Sequence, residues 1–261
     1  MPFPAHVCRN DRSPTATSRG CPRCRLEIAA VTTSPSILIV GAGAHGRVVL
    51  DILRAQGHKV PGWVDDNPQL DGSSIEGLPV LGGQEYFLSG QFHGSVHVAI
   101  GLSSVRLALG ERILSAGLSL ATAIHPSAVI SPTAHIGEGS CICAGAVIGP
   151  GARLGRQVIV NTGATIDHDC LLEDGAWVAP GVTTAGAVRI GRLAYVSTGA
   201  VLVAGVHIGA GAVVGAGAVV VQHVPPQAIV LGVPARVVGK VDEKFDFKRL
   251  VSGLPPLSSD L

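Results

Sequence analysis

From Ala123 to Val224 the chain repeats every six residues without a break in register. Across these seventeen hexads the second position is Ile, Leu or Val everywhere except Thr184, and the sixth is Ala or Val apart from the small residues Ser140 and Cys170. A bulky aliphatic residue that returns at one fixed phase over so long a span must face one continuous interior. A repeat of this length is the sequence signature of a β-helix, whose units bury their apolar faces only by stacking on one another.

The pattern resembles the left-handed parallel β-helix of hexapeptide-repeat acyltransferases, in which three hexads make one triangular coil. Seventeen hexads then give about six coils. Such a prism is too narrow for rings, which accords with 47% apolar residues but only 3% aromatic, and with 35 glycines. With no extra residue between 123 and 224, no long loop leaves the prism.

That register gives meaning to "TIDHDC" (165–170). Ile166 and Cys170 fall on inward positions, whereas His168 takes the fourth, an outward corner held elsewhere by Pro126, Pro132, Glu138, Pro150, Arg156, Thr162, Asp174 and Pro180. Acidic residues flank it, and eighteen residues on the same column holds Gly186, which leaves space beside an imidazole. A histidine with an unperturbed pKa near 6.5 is suited to take the proton of an incoming amine or hydroxyl at neutral pH. Asp169 would fix its tautomer and stabilise the imidazolium. No Ser or Cys is paired with His168 as a nucleophile, so direct transfer without an acyl-enzyme is expected, with the Gly186 N–H stabilising the oxyanion.

Ahead of the repeat, "SILIV" (36–40) reads as a strand, "GAGAHG" (41–46) as a glycine turn, and the following residues as a helix with Val48, Val49, Ile52 and Leu53 on one face. "VPGWVDD" and "VHVAIG" add strands, and "SSVRLALGERILSAG" is a helix capped by Ser103 or Ser104. This predicts a small α/β Rossmann-like domain over 35–122, followed by the β-helix over 123–240 and a tail over 241–261. The GxGxxG glycines and the acidic pair Asp65 and Asp66 have the spacing of a nucleotide site, with phosphate at a helix N-terminus and a carboxylate near the ribose. Gly41, Gly43, His45, Gly46, Asp65 and Asp66 are the candidate substrate-binding residues. A turn that only packs helix on strand is the alternative.

A formal net charge of +1 predicts no electrostatic attraction to nucleic acid or anionic membrane, and no apolar run is long enough to span a bilayer. A cytoplasmic protein with small-molecule partners is expected. Residues 1–34 are rich in Arg, Pro, Ser and Thr and read as a disordered extension. His6, Cys8, Cys21 and Cys24 lie in it, but a zinc site there is the lesser reading, and no metal is expected.

The span 36–240 resembles the sialic acid O-acetyltransferase and nucleotide-amino-sugar N-acetyltransferase family, bacillosamine-pathway type. "ILIVGAGAHGRVVLDIL", "VDDNP", "AIHPSAVISPTA", "NTGATIDHDC", "TTAGAVRIG" and "LGVPARVV" carry the likeness. It implies acetyl-CoA as co-substrate, a nucleotide-sugar bound by the first domain, a homotrimer with acetyl-CoA between prisms, and a surface-glycan role. It also implies that His168 is the general base and Asp169 its orienting carboxylate. Acetyl-CoA is expected to touch Trp177, Gly186, Thr198, Ala204 and Ala216, Trp177 standing where relatives can place a second histidine. N-acetylation is preferred to O-acetylation of sialic acid; an NAD-binding protein and a non-catalytic solenoid are the other classes.

Overall fold

The computed structural model describes residues 36–90 and 92–242. The two expected tails therefore lie almost wholly outside the described residues, as do His6, Cys8, Cys21 and Cys24.

The chain first builds an α/β layer. Its strands are β1 (Ile37–Val40), β2 (Trp63–Val64), a small hairpin β3–β4 (Ser74–Ile75 and Leu78–Pro79), β5 (Ser95–Val98) and β6 (Ser119–Leu120). The helices are α1 (Ala44–Ala55), α2 (Glu85–Leu88) and α3 (Ser103–Ser115). The main sheet runs β2-β1-β5-β6, all parallel; β1 is an uninterrupted apolar run buried throughout, and β5 is buried from Val96 to Val98 with His97 among its apolar residues.

Two details of the helices differ from the sequence expectation. The buried face of α1 is Val49, Leu50, Ile52 and Leu53, while Val48 is 40% exposed, because α1 begins at Ala44 inside the glycine motif and its inner stripe is rotated by one residue. On α3 the N-cap is Leu102, without a side-chain cap. Ser103 is already helical, and its hydroxyl accepts from Arg106 Nη2 at 3.0 Å instead.

From Ala123 onward the chain is a parallel β-helix of about six coils. Two-residue strands recur every six residues and pair eighteen residues on, as in Val147 with Thr165 and Arg153 with Leu171. Face one carries the strands that begin at Ala123, Cys141, Ile159, Trp177, Tyr195 and Val213, extended by a terminal hairpin of Ala228–Leu231 with Arg236–Lys240. Face two carries those at Val129, Val147, Thr165, Thr183, Val201 and Val219, and face three those at His135, Arg153, Leu171, Arg189 and His207. Second-position side chains from Ile142 to Val220 are buried and form the aliphatic ladder, Thr184 among them.

The three faces differ in what their outward first positions meet. On face one all six are buried, because the α/β layer lies against them and α1 packs on the first strand. Face two leaves Val129, Val147 and Val201 exposed. Face three is polar, with Arg153, Arg189, His135 and His207 exposed. The Trp and Tyr of the repeat, Trp177 and Tyr195, sit outside the prism on the covered face, which reconciles them with an interior too narrow for rings.

Candidate active site

The glycine turn, α1 and face one enclose a cleft of about 490 Å³, lined by Gly41, Gly43, Ala44, His45, Val48, Asp65, Ala99, Ile100, Gly101, Asn161 and Trp177. It lies at the carboxyl ends of β1 and β5, where an open parallel sheet presents its ligand crevice. The volume falls within the range of small-molecule sites. Helix α1 starts there without a side-chain cap or first-turn acid, so its orphan N–H groups favour an anion.

Each motif glycine has a different task. Gly41 has φ +105°, and a Cβ would stand 2.9 Å from the Ala99 carbonyl oxygen. At Gly46 a Cβ would stand 2.2 Å from the Gly41 oxygen and 3.0 Å from Trp63, so Gly46 serves packing of α1 on β1 and is absent from the cleft wall. At Gly43 no atom lies within 4 Å of a Cβ, and this position borders the cleft.

The acidic pair also divides. Asp65 lines the cleft, its Oδ2 accepting from Ala42 N at 2.9 Å and its Oδ1 from Asn67 N at 3.0 Å. Asp66 turns the other way, to accept from the Gln84 amide and its side-chain nitrogen. The expected substrate roles of Gly46 and Asp66 therefore have no counterpart in the cleft, since side chains alternate along the extended segment that follows β2.

His45 packs 5.3 Å from Trp177, ring centre to ring centre, and burial pushes its pKa down to about 3. Its Nε2 and the Trp177 Nε1 are both sealed without a partner among the described residues. Trp177 stacks on Tyr195 at 5.7 Å and lies under the Arg106 guanidinium at 5.6 Å. Trp177, expected as an acetyl-CoA contact, lines the cleft on face one, whose first positions the α/β layer covers, and is thereby on the opposite side of the prism from His168.

Arg106 is a residue that periodicity did not single out. It is 1% exposed and donates to the carbonyls of Gln157, Ile100, Gly101 and Gly175 and to Ser103 Oγ, all within 3.1 Å, with no carboxylate among these acceptors. Burial lowers its pKa to about 9, so at neutral pH it remains a cation beside the cleft. Two of its partners are 51 and 69 residues away, contacts that no local pattern could reveal.

His168 stands on the edge between faces two and three, since it lies between the strands Thr165–Ile166 and Leu171–Leu172. Its side chain is 57% exposed and its Nδ1 is 2.9 Å from Asp169 Oδ2. That hydrogen bond, with the charge of Asp167, raises its pKa. Asp169 occupies the fifth position, where most hexads have glycine, and adopts φ 59°. A non-glycine residue in that region costs about 1 kcal/mol, and here the cost places a carboxylate against Nδ1.

The space at Gly186 is filled by the imidazole itself: a Cβ there would be 2.3 Å from His168 Nε2 and 2.4 Å from Cε1. The Gly186 N–H has no hydrogen-bond partner among the described residues, and its carbonyl accepts from Gly205 N at 3.0 Å. Ala204 continues this edge. Thr198 and Ala216 lie on another one, between faces one and two, the edge that Asn161 also adjoins. The candidate residues are thus split into two groups, because the fourth-position column exists three times around a triangular coil.

No curated protein sequence matches the chain. A family profile described as the PglD N-terminal domain matches residues 36–113. Among solved structures, PerB from Caulobacter crescentus, crystallised with CoA and GDP-perosamine, is 40% identical with a TM-score of 0.75 over 78% of this chain and 97% of that one. The acetyltransferase domain of PglB from Neisseria gonorrhoeae, in complex with acetyl coenzyme A, is 36% identical with a TM-score of 0.74 over 78% and 100%. WeeI from Acinetobacter baumannii is 30% identical with a TM-score of 0.67 over 77% and 99%. The chain is an acyltransferase and belongs to the nucleotide-amino-sugar N-acetyltransferase family of the hexapeptide-repeat superfamily.

Proposed function

We propose that this enzyme transfers the acetyl group of acetyl-CoA directly to the amine of a nucleotide-linked amino sugar, with His168 as general base, in the building of a surface glycan. The observation that carries the reading is the His168–Asp169 pair, held on an outward edge with the imidazole seated against Gly186. His168 takes a proton from the nitrogen as the N–C bond forms and returns it to the sulfur as the C–S bond breaks. Asp169 holds the donating tautomer at Nδ1, which leaves Nε2 free as the base. The free Gly186 N–H is the candidate oxyanion donor. The same base would serve a hydroxyl. An amine is preferred because a structural relative is described as a perosamine N-acetyltransferase, also crystallised with one histidine replaced by asparagine. Family membership sets aside the NAD-binding and scaffold alternatives.

The cleft at the glycine turn is the nucleotide-sugar site. It lies against face one, whereas His168 is on the edge opposite that face, so the two cannot meet within one chain. Both edges with candidate residues border face two, where Val129 and Val147 are exposed on adjacent coils and Val201 is exposed beyond two threonines, a surface suited to subunit contact. In a ring of identical contacts the His168 edge of one copy faces the edge of the next that carries Thr198, Ala216 and the cleft. We therefore read a homotrimer with acetyl-CoA between prisms. A cytoplasmic location fits Cys141, Cys143 and Cys170, which are buried and unpaired, as expected under reducing conditions.

The test is thiol release from acetyl-CoA against a panel of nucleotide-linked amino sugars and their hydroxyl analogues. Turnover on an amine, lowered by His168→Ala by about 10²- to 10⁴-fold in a folded trimer, is the expected result. Turnover that survives His168→Ala would remove the assigned base.

A further inference from the structure

We infer that Thr184 is a positioning residue for His168, an inference that rests on His168 being the base. It is the single interruption of the aliphatic second-position ladder in seventeen hexads. A hydroxyl buried to 2% exposure in an apolar prism is costly unless it has a partner. Its Oγ1 accepts from the Asp167 amide at 3.1 Å. That bond replaces one of the ladder. Every other third-position amide from His125 to Val203 donates to a second-position carbonyl one coil on, as Gly149 N does to Ile166 O. Asp167 N alone in that series turns to a side chain, and the pairing of Thr165 with Thr183 accordingly does not extend to Ile166 and Thr184.

The exception falls at the entry to the catalytic corner. The redirected amide belongs to the residue whose Oδ1 accepts from His168 N at 2.7 Å. The His168 carbonyl in turn accepts from Ala187 N at 2.8 Å, and Asp169 N donates to Pro150 O at 2.9 Å. Thr184 thus fixes the start of a backbone turn whose remaining contacts aim the imidazole at Gly186. The hydroxyl also lies 3.5 Å from the buried Cys170 Sγ; a valine there would match the other hexads in shape and hydrophobicity but would lose both that contact and the acceptor for the Asp167 amide.

The experiment compares Thr184→Val, Thr184→Ser and His168→Ala in the full-length protein by thiol release and melting temperature. Thr184→Val is expected to keep or raise the melting temperature and to lower kcat by about 10- to 100-fold with KM for both substrates nearly unchanged, the signature of a displaced base. Thr184→Ser, which retains the acceptor, should recover most of the loss. Wild-type kcat in Thr184→Val, with His168→Ala inactive, would overturn the positioning role alone; an active His168→Ala would overturn the base assignment beneath it. A Thr184→Val loss that serine does not restore would equally overturn the role of the hydroxyl.

Discussion

Gly186→Ala adds one methyl group and tests the geometry of the base directly. The added Cβ would lie 2.3 Å from His168 Nε2, against an ordinary contact of about 3.5 Å, so the ring must move by about 1 Å. A shift of that size stretches the 2.9 Å contact between Nδ1 and Asp169 Oδ2 beyond hydrogen-bond range. The substitution leaves other contacts alone. Gly186 has no positive φ, its Cβ points outward, and alanine keeps the N–H that is the oxyanion candidate. A misplacement of about 1 Å at the chemistry costs on the order of 10²-fold in rate, or about 2.7 kcal/mol of transition-state stabilisation. We therefore expect kcat to fall about 10²-fold while the melting temperature holds or rises slightly, since replacing glycine also restricts the unfolded chain. Steady-state thiol release and thermal unfolding on the same preparation read both. A folded Gly186→Ala enzyme within twofold of wild-type turnover would show that the imidazole against Gly186 is not the working base.

Asp169→Asn should cost less turnover than His168→Ala and should move the acid limb of the kcat/KM profile to lower pH. The base works neutral, and the carboxylate is what chiefly holds its pKa up; an unmoved limb would mean that His168 does not set it. Gly43→Val should raise KM for the nucleotide-sugar with little change in melting temperature, whereas Gly46→Val should prevent folding of the α/β layer. The structure leaves open space at the first and a backbone carbonyl 2.2 Å away at the second, so equal effects on binding and stability would refute that division. His97, 1% exposed and bonded through Nδ1 to the Ala121 carbonyl at 2.8 Å, has its pKa lowered to about 4 by burial. Its neutral form stabilises the fold above the unfolded value of about 6.5, and that contribution is lost as pH falls towards 4. The stability difference between wild type and His97→Gln, from urea unfolding, should shrink by about 3 kcal/mol between pH 7 and 4; a constant difference would refute it.

The β-helix and the place of His168 were legible because each follows from one local rule. The inward ladder is a phase of six, and any residue's edge follows from its hexad position, so His168, Asp169 and Gly186 could be stacked before any contact was known. The α/β layer was legible for a similar reason, as an apolar strand, glycine turn and helix are contiguous in the chain. A count by position says only that a residue faces outward. It does not say what lies outside, so it could not foresee that Trp177 lines the cleft on the covered face or that Gly46 and Asp66 stand apart from that cleft.

The missing information is which prism face the first domain covers, and it is held by contacts between distant residues. Arg106 on α3 bonds to the Gln157 and Gly175 carbonyls, and Gln157 Nε2 returns a bond to the Arg106 carbonyl at 2.9 Å. Gly110, one helical turn on, leaves room for that glutamine, since a Cβ there would lie 2.3 Å from its Oε1. Once this lock chooses face one, the rest is determined. Trp177 and Asn161 come to line the cleft at the glycine turn, and His168 is left on the edge opposite that face. The same lock buries a cation with no carboxylate partner behind Trp177, so that positive potential from Arg106 adds to that of the start of α1 in the cleft. Docking of the first domain and the positive potential of its cleft are thus one piece of physics, carried by a side chain that the hexapeptide period cannot register.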